Sequence, residues 1–278
     1  MFQKLSWIPL VVPAVVAFGL TRLALTGVMN IITGAGFVRP NFRGDHIPVG
    51  VGLLFFLGAL LPGGMLIFWQ PGLYALNGLI YLLALGAMTL LGLVDDVFGS
   101  RTDSGLKGHL KKLFQGELTT GGLKLLAGGL MALVISAAMS KGWQELAVNT
   151  LVIGLSVNAI NLLDLRPGRA GKGYLLALLL LLVTHWPDRN LAWGMITAGA
   201  LLAYLPTDLR AGAMMGDTGS NALGATLGIM TVLILEGPVK IGYLVFLVVF
   251  HLFTEKFSLT KIIERNRLLN YLDQLGRS

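Results

Sequence analysis

Long apolar stretches separated by short polar segments make up most of the chain. Each is near the roughly 20 residues that an α-helix needs to cross the hydrocarbon core of a bilayer. The stretches cover residues 7–29, 48–69, 74–95, 119–139, 145–164, 173–186, 190–206, 219–236 and 238–254. Because the sixth is short, the count of nine carries an uncertainty of about one. The pattern predicts an all-α, polytopic transmembrane bundle of about nine spanning helices within residues 1–258.

The last part of the chain, residues 259–278, follows a different pattern. Leu268, Leu269, Leu272 and Leu275 recur near helical spacing among charged side chains. We therefore predict an amphipathic helix that lies on the cytoplasmic surface of the membrane. A helix packed on the protein's own loops explains the same pattern equally well.

Composition and charge support a membrane protein and orient it. Hydrophobic residues make up 55% of the chain and charged residues 13%, well below the roughly 25% usual in soluble domains. The absence of cysteine excludes a disulfide framework and cysteine-ligated metals. The net charge of +7 is typical of loops that face the cytoplasm and anionic lipid, so we expect no nucleic-acid partner. With the N-terminus outside, 16 of the 21 Lys and Arg residues fall on one face, which the positive-inside rule makes cytoplasmic together with the C-terminus.

Four acidic residues stand at the ends of apolar stretches on the predicted cytoplasmic face. Asp95 and Asp96 end the third stretch, Asp164 closes the fifth, and Asp217 opens the eighth. An ionised carboxylate costs roughly 2.5–3.5 kcal/mol at the centre of a membrane helix and less near its end. A site that needs negative charge accounts for such residues, and their oxygens suit Mg²⁺. The alternative is a solvated helix end or, for Asp217, an N-cap.

Two asparagines precede the carboxylate that closes the fifth stretch. Asn158, Asn161 and Asp164 are spaced three apart, which places them along one side of a helix. A row of two amides and a carboxylate can bind a polar ligand. It can equally form hydrogen bonds between neighbouring helices, and the pattern alone does not separate the two interpretations.

Basic side chains accompany the acidic ones on the same face. They are Arg43, Lys111, Lys112, Lys124, Arg166, Arg169 and Lys172. Their charge suits phosphate, which arginine binds in bidentate fashion, although cytoplasmic loops are basic for topological reasons as well. Carboxylates, a divalent metal and basic loops together predict a phosphoryl-transfer site at the membrane surface. The four histidines are scattered singly, which argues against a zinc site.

Several short motifs follow one another along the chain, and their order is more specific than any one of them. They are Pro40-Asn41-Phe42-Arg43-Gly44 with Ile47-Pro48, Asp95-Asp96, Leu123-Lys124, Asn158-x-x-Asn161-Leu-x-Asp164, and Met215-Gly-Asp217-x-Gly-Ser220 with Leu223-Gly224. The set resembles the polyprenyl-phosphate N-acetylhexosamine-1-phosphate transferases, a family that includes bacterial phospho-MurNAc-pentapeptide transferase. The similarity extends over about residues 39–258.

The resemblance implies a Mg²⁺-dependent transfer of a sugar-1-phosphate from a UDP-N-acetyl sugar to a polyprenyl phosphate such as undecaprenyl phosphate, with release of UMP. It also implies an enzyme of cell-wall or surface-polysaccharide synthesis in the bacterial cytoplasmic membrane, with its site on the cytoplasmic face. By resemblance Asp95, Asp96 and Asp217 are catalytic, and Asp96 and Asp217 are metal ligands. We expect the substrates to be bound by Lys124, Asn158, Asn161, Asp164, Arg166, Arg169 and Arg43.

The chain departs from the family pattern at three places. Pro167 stands where a second carboxylate is usual, Met214 replaces the usual aromatic residue, and the histidine-rich last loop is missing. The alternative hypothesis is therefore a non-catalytic relative that binds lipid phosphate or a partner enzyme. An intramembrane aromatic prenyltransferase ranks last, since its two Asp-rich motifs are absent. The sequence leaves open whether the chain forms a homodimer.

Overall fold

The computed structural model describes residues 7–99 and 120–277, and for residues 120, 121, 123 and 124 it describes the backbone alone. The helices are α1 (Ile8–Gly34), α2 (Leu53–Trp69), α3 (Pro71–Phe98), α4 (Thr120–Ala137), α5 (Trp143–Leu163), α6 (Arg169–His185), α7 (Leu191–Leu209), α8 (Gly216–Ile234), α9 (Gly237–Lys256), α10 (Leu259–Arg265) and α11 (Arg267–Gln274). The all-α prediction is confirmed. Each of the nine predicted stretches coincides with one of the helices α1–α9.

Several of these helices have the dimensions of membrane spans. Among the described residues, α1, α3, α5 and α9 are long and apolar enough to cross a bilayer. Helix α2 and residues 125–137 of α4 are shorter apolar helices. The chain is an integral membrane protein by these features, while the count of nine spans and the cytoplasmic orientation stay predictions.

Several helices extend beyond the predicted stretches, and three of the extensions bring predicted site residues into a helix. Helix α3 continues to Phe98, α8 begins at Gly216, and α6 begins at Arg169. The apolar pattern indicates only the part of a helix that lies in the hydrocarbon core of the bilayer. The helix itself can continue into the polar interface. Asp95, Asp96 and Asp217 therefore lie in terminal helical turns, and Asp164 directly follows the last residue of α5.

A short β-hairpin, which the sequence pattern did not predict, follows α1. Its strands β1 (Val38–Pro40) and β2 (His46–Pro48) are antiparallel, with Arg39 opposite Ile47. The turn between them is closed by Asn41, whose side-chain oxygen accepts hydrogen bonds from the backbone N–H groups of Arg43 (2.8 Å) and Asp45 (3.0 Å). Such a side chain replaces missing backbone partners in a tight turn. Strands of three residues carry too few positions for alternation to be recognised.

The hairpin is attached to the segment that leads into α8. The N–H of Met214 donates to the carbonyl of Pro48 (2.8 Å), and the N–H of Gly52 donates to the carbonyl of Met215 (3.1 Å). These backbone bonds join two segments more than 160 positions apart in sequence. They place the first predicted loop motif beside the Met-Gly-Asp motif.

Helix α8 is the buried centre of the bundle and packs against α3 and α5. A Cβ added at Gly224 or Gly228 would overlap backbone atoms of Val157 or Ile153 in α5. Small residues of this kind let helices approach closely within a membrane. These glycines allow α8 to lie in backbone contact with α5.

Candidate active site

One cleft, of about 560 Å³, collects the acidic motifs at a single end of the bundle. It is lined by four segments of the chain: the hairpin, the end of α3, the loop after α5, and the segment between α7 and α8. The lining residues that bear on function are Arg39, Asn41, Phe42, Asp95, Asp96, Asp164, Arg166, Asp208, Met214, Gly216 and Asp217. The four acidic residues singled out in the sequence therefore line one cleft, although up to 122 positions separate them.

Asp96 binds the first turn of α8. One carboxylate oxygen accepts the N–H of Asp217 (2.9 Å), and the other accepts the N–H (2.9 Å) and the hydroxyl (2.6 Å) of Thr218. The first N–H groups of a helix have no partner within the helix, and a carboxylate there also gains from the helix dipole. Asp96 thus caps α8 from the neighbouring helix and places Asp217.

Gly216 makes this contact sterically possible. Its backbone lies in the left-handed region (φ +68°), and a Cβ there would overlap the carboxylate of Asp96. Glycine satisfies both conditions because it has no Cβ. The glycine of the Met-Gly-Asp motif therefore has a structural explanation in the approach of Asp96.

The carboxylates of the cleft suit a hard cation such as Mg²⁺, which takes one or two carboxylates and completes its shell with substrate phosphates and water. Within the described ranges, no three His, Cys, Asp or Glu side chains form a metal site by themselves. Asp217 lines the cleft from the first turn of α8 and fits the predicted role of ligand. Asp96 already uses both of its oxygens toward α8, so its predicted metal contact would need the remaining acceptor position on one oxygen.

The two asparagines of the third motif are placed differently from Asp164. Asp164 lines the cleft, whereas Asn158 and Asn161 do not. The side-chain amide of Asn161 donates to the side-chain oxygen of Asn221 in α8 across 3.4 Å. Asn161 therefore forms the hydrogen bond between neighbouring helices that the sequence offered as the alternative to ligand binding. Substrate binding by the two asparagines stays a prediction.

Phe42, a residue of the first motif to which the sequence assigned no role, lines the cleft and contacts two arginines, of which Arg166 lines the cleft and Arg43 does not. Its half-exposed ring lies 5.5 Å from the guanidinium carbon of Arg166 and 5.1 Å from that of Arg43. Both distances are within the range of cation–π attraction. Arg166 itself lines the cleft, so its charge is available beside the carboxylates.

Four of the basic residues predicted to bind phosphate lie away from the cleft or outside the described part of the chain. Arg169 is only 6% exposed and does not line the cleft; its guanidinium is bound to Asp273 and Thr260. Lys124 belongs to α4, and its side chain is outside the described part of the chain. Lys111 and Lys112 also lie outside the described residues.

Asp208 is a cleft residue that the sequence reasoning missed. It lies in the last turn of α7, is buried, and lines the cleft. Its carboxylate accepts the N–H of Gly168 (2.8 Å) and the hydroxyl of Tyr204 (3.4 Å). Asp208 follows the seventh apolar stretch, which ends at residue 206. It could therefore have been found by the same criterion as Asp95, a carboxylate at the end of an apolar stretch.

Gly92 sets the distance between α3 and the first turn of α8. A Cβ at this position would overlap the backbone of Asp217 and Thr218. We expect Gly92→Ala to displace this turn, to cost about 1–3 kcal/mol of stability through overpacking, and to impair activity. Thermal unfolding and turnover would measure both effects. Gly72→Ala is the matched control, since this glycine of α3 has no atom within 4 Å of its added Cβ; equal behaviour of the two variants would contradict the close contact.

The region that holds this cleft also matches a known family. A model of Glycosyl transferase family 4 matches residues 78–235, which is more than half of the chain and includes Asp95, Asp96, Asp164 and Asp217. Comparison with curated proteins found no significant match. The chain therefore belongs to glycosyl transferase family 4, the family of phospho-MurNAc-pentapeptide transferase and related polyprenyl-phosphate hexosamine-1-phosphate transferases.

Proposed function

We propose that the protein transfers a sugar-1-phosphate from a UDP-N-acetyl sugar to a polyprenyl phosphate, with undecaprenyl phosphate as the acceptor and UMP as the second product. The observation that carries the proposal is that Asp95, Asp164, Asp217 and Arg166 all line one cleft. These side chains offer carboxylates for a divalent cation and a guanidinium for phosphate. The family supports a glycosyltransferase-type enzyme that moves a sugar phosphate to a polyprenyl phosphate.

In the proposed reaction an oxygen of the lipid phosphate attacks the β-phosphorus of the UDP-sugar. The bond from that phosphorus to the oxygen bridging the two phosphates breaks, and its electron pair leaves with UMP. The products are a polyprenyl diphosphate sugar and UMP. Mg²⁺, when bound, would neutralise charge on the diphosphate.

The protein's own groups have distinct tasks in this scheme. Asp217 is the proposed metal ligand, and Asp96 holds it in place through the backbone of α8. Arg166 is positioned to neutralise donor phosphates, since it lines the same cleft. We place the reaction at the cytoplasmic face of the bacterial cytoplasmic membrane, in cell-wall or surface-polysaccharide synthesis, because the basic loops surround these motifs.

Purified protein in lipid nanodiscs with Mg²⁺ and undecaprenyl phosphate tests the proposal against a panel of UDP-sugars. We expect UMP release with one class of UDP-N-acetyl sugar, dependent on both the lipid phosphate and Mg²⁺, and abolished by EDTA. If no donor in the panel is turned over, the donor assignment is wrong. Lipid-phosphate binding that is indifferent to Mg²⁺, without turnover, would instead favour the non-catalytic alternative.

A further inference from the structure

The C-terminal segment, defined as residues 258–277, ends against the loop that follows α5. Helices α10 and α11 are separated at Asn266, whose side-chain oxygen accepts the N–H of Leu269 (3.0 Å) and caps α11. The polar side of α11 faces the protein, while Leu268 and Tyr271 are 67% and 65% exposed. The segment is therefore attached through polar contacts.

The strongest of these contacts is a buried ion pair. Arg169 donates from two guanidinium nitrogens to the two carboxylate oxygens of Asp273, at 2.8 and 2.9 Å, and from the third nitrogen to the hydroxyl of Thr260 (3.0 Å). Bidentate pairs of this type combine strength with a fixed orientation. Burial raises the pKa of Asp273, but the hydrogen bonds and charges of Arg169 and Arg277 outweigh burial, so the net pKa is lowered. The carboxylate is consequently ionised at neutral pH.

A second contact reaches the cleft wall directly. Arg277 donates to the carbonyl of Pro167 (2.7 Å) and also to Asp273 (2.9 Å). Lys172, in the first turn of α6, donates to the carbonyls of Leu272 (3.0 Å) and Asp273 (2.7 Å) at the end of α11. The loop and the segment thus hold each other by both backbone and side-chain groups.

The loop held in this way forms one wall of the cleft. Leu165, Arg166 and Pro167 all line it, and the next residue, Gly168, is bound to Asp208. Arg166 therefore stands between two attachments, with Asp164 at the end of α5 on one side and the bonds at Pro167 and Gly168 on the other. Those bonds hold the backbone on both sides of Arg166, while its guanidinium lies 5.5 Å from the ring of Phe42.

We propose that the C-terminal segment is a positioning element for this wall, and that Asp273 and Arg277 set the affinity for the nucleotide-sugar donor through Pro167 and Arg166. The donor part of the proposal rests on the proposed function. Neither residue lines the cleft, so both act through the loop and neither is catalytic. Apart from these contacts the segment adds little to the core of the bundle, because α10 has no buried residue and α11 has only Asp273.

Steady-state kinetics with each substrate varied in turn provides the first test. We expect Asp273→Asn and Arg277→Gln to raise the KM for the UDP-sugar about tenfold or more, as loss of supporting contacts around a site usually does. The KM for the lipid phosphate should stay near the wild-type value. Asp273→Glu, which keeps the charge, should recover part of the donor affinity. Matched controls are Glu264→Gln and Arg267→Gln, which remove the same charges from exposed positions of the same segment.

Amide hydrogen exchange of residues 164–166 and 168 provides a test that does not depend on turnover. We expect faster exchange there in Arg277→Gln, which leaves the Arg169–Asp273 pair in place and keeps the test open if Asp273→Asn does not fold. Unchanged exchange in both variants would overturn the positioning role. Faster exchange with an unchanged donor KM would overturn the link to the donor. If the wild-type protein turns over no UDP-sugar but the variants still show faster exchange, the proposed function is refuted and the positioning role stands.

Discussion

Replacing Asp217 by asparagine is expected to lower turnover by at least about 100-fold with little loss of stability. Supporting residues around a metal typically change affinity or activity 10–100-fold, and a direct ligand should exceed them. The fold should tolerate the change because the contact of residue 217 with Asp96 uses the backbone N–H, which asparagine retains. UMP release and thermal unfolding, measured on the same preparation, would show both parts of the result.

A second measurement tests metal binding separately from turnover. In the presence of UDP, Mg²⁺ should raise the thermal midpoint of the wild-type protein, since a ligand that binds only the folded state stabilises it. The rise should be lost in Asp217→Asn and kept in the exposed control Glu264→Gln. Wild-type turnover by Asp217→Asn would remove this residue as the metal ligand.

The second large effect concerns Asp96, and here stability should fall together with activity. Asparagine cannot replace this carboxylate, because an amide offers one oxygen while the first turn of α8 presents three donors. We expect Asp96→Asn to cost about 2–4 kcal/mol, from weakened charge-assisted bonds and a donor left without a partner. Thermal unfolding in nanodiscs measures the loss, and turnover should fall because Asp217 is displaced.

The comparison of the two variants distinguishes a cap from a metal ligand. A capping role predicts a large loss of stability whether or not Mg²⁺ is present. If Asp96→Asn instead keeps wild-type stability and loses only the Mg²⁺-dependent rise in the thermal midpoint, Asp96 is a ligand and the capping explanation fails. Asp217→Asn is the matched comparison, since it removes a neighbouring carboxylate and leaves the N–H of residue 217 bound to Asp96.

The parts of the fold that were predictable depend on local patterning. Apolar stretches of the right length located α1–α9, because the length of a helix that enters hydrocarbon is read directly from consecutive residues. Carboxylates at the ends of such stretches are costly, and this cost identified Asp95, Asp96, Asp164 and Asp217 without reference to their partners. Their meeting in one cleft followed from placing all four on one face of the membrane.

The parts that were not predictable depend on pairs of residues far apart in the chain. Arg169 lies beside the third motif and was expected to bind phosphate, but its partner is Asp273, 104 positions later. Asp96 was identified as a site residue, yet its bonds to the first turn of α8 require knowledge of how α3 and α8 pack. The hairpin is bound to Met214 through backbone groups, which carry no sequence signal.

The contact of Gly92 with the backbone of Asp217 has a consequence for how this enzyme can diversify. The placement of Asp96 and Asp217 is determined by two helices in direct contact, and no loop intervenes between Gly92, Asp96 and the first turn of α8. The loop that carries Arg166 and Pro167 belongs to a different part of the cleft. Under the proposed function, donor preference can therefore evolve by exchange of that loop and its C-terminal support, while the proposed reaction centre is inherited unchanged.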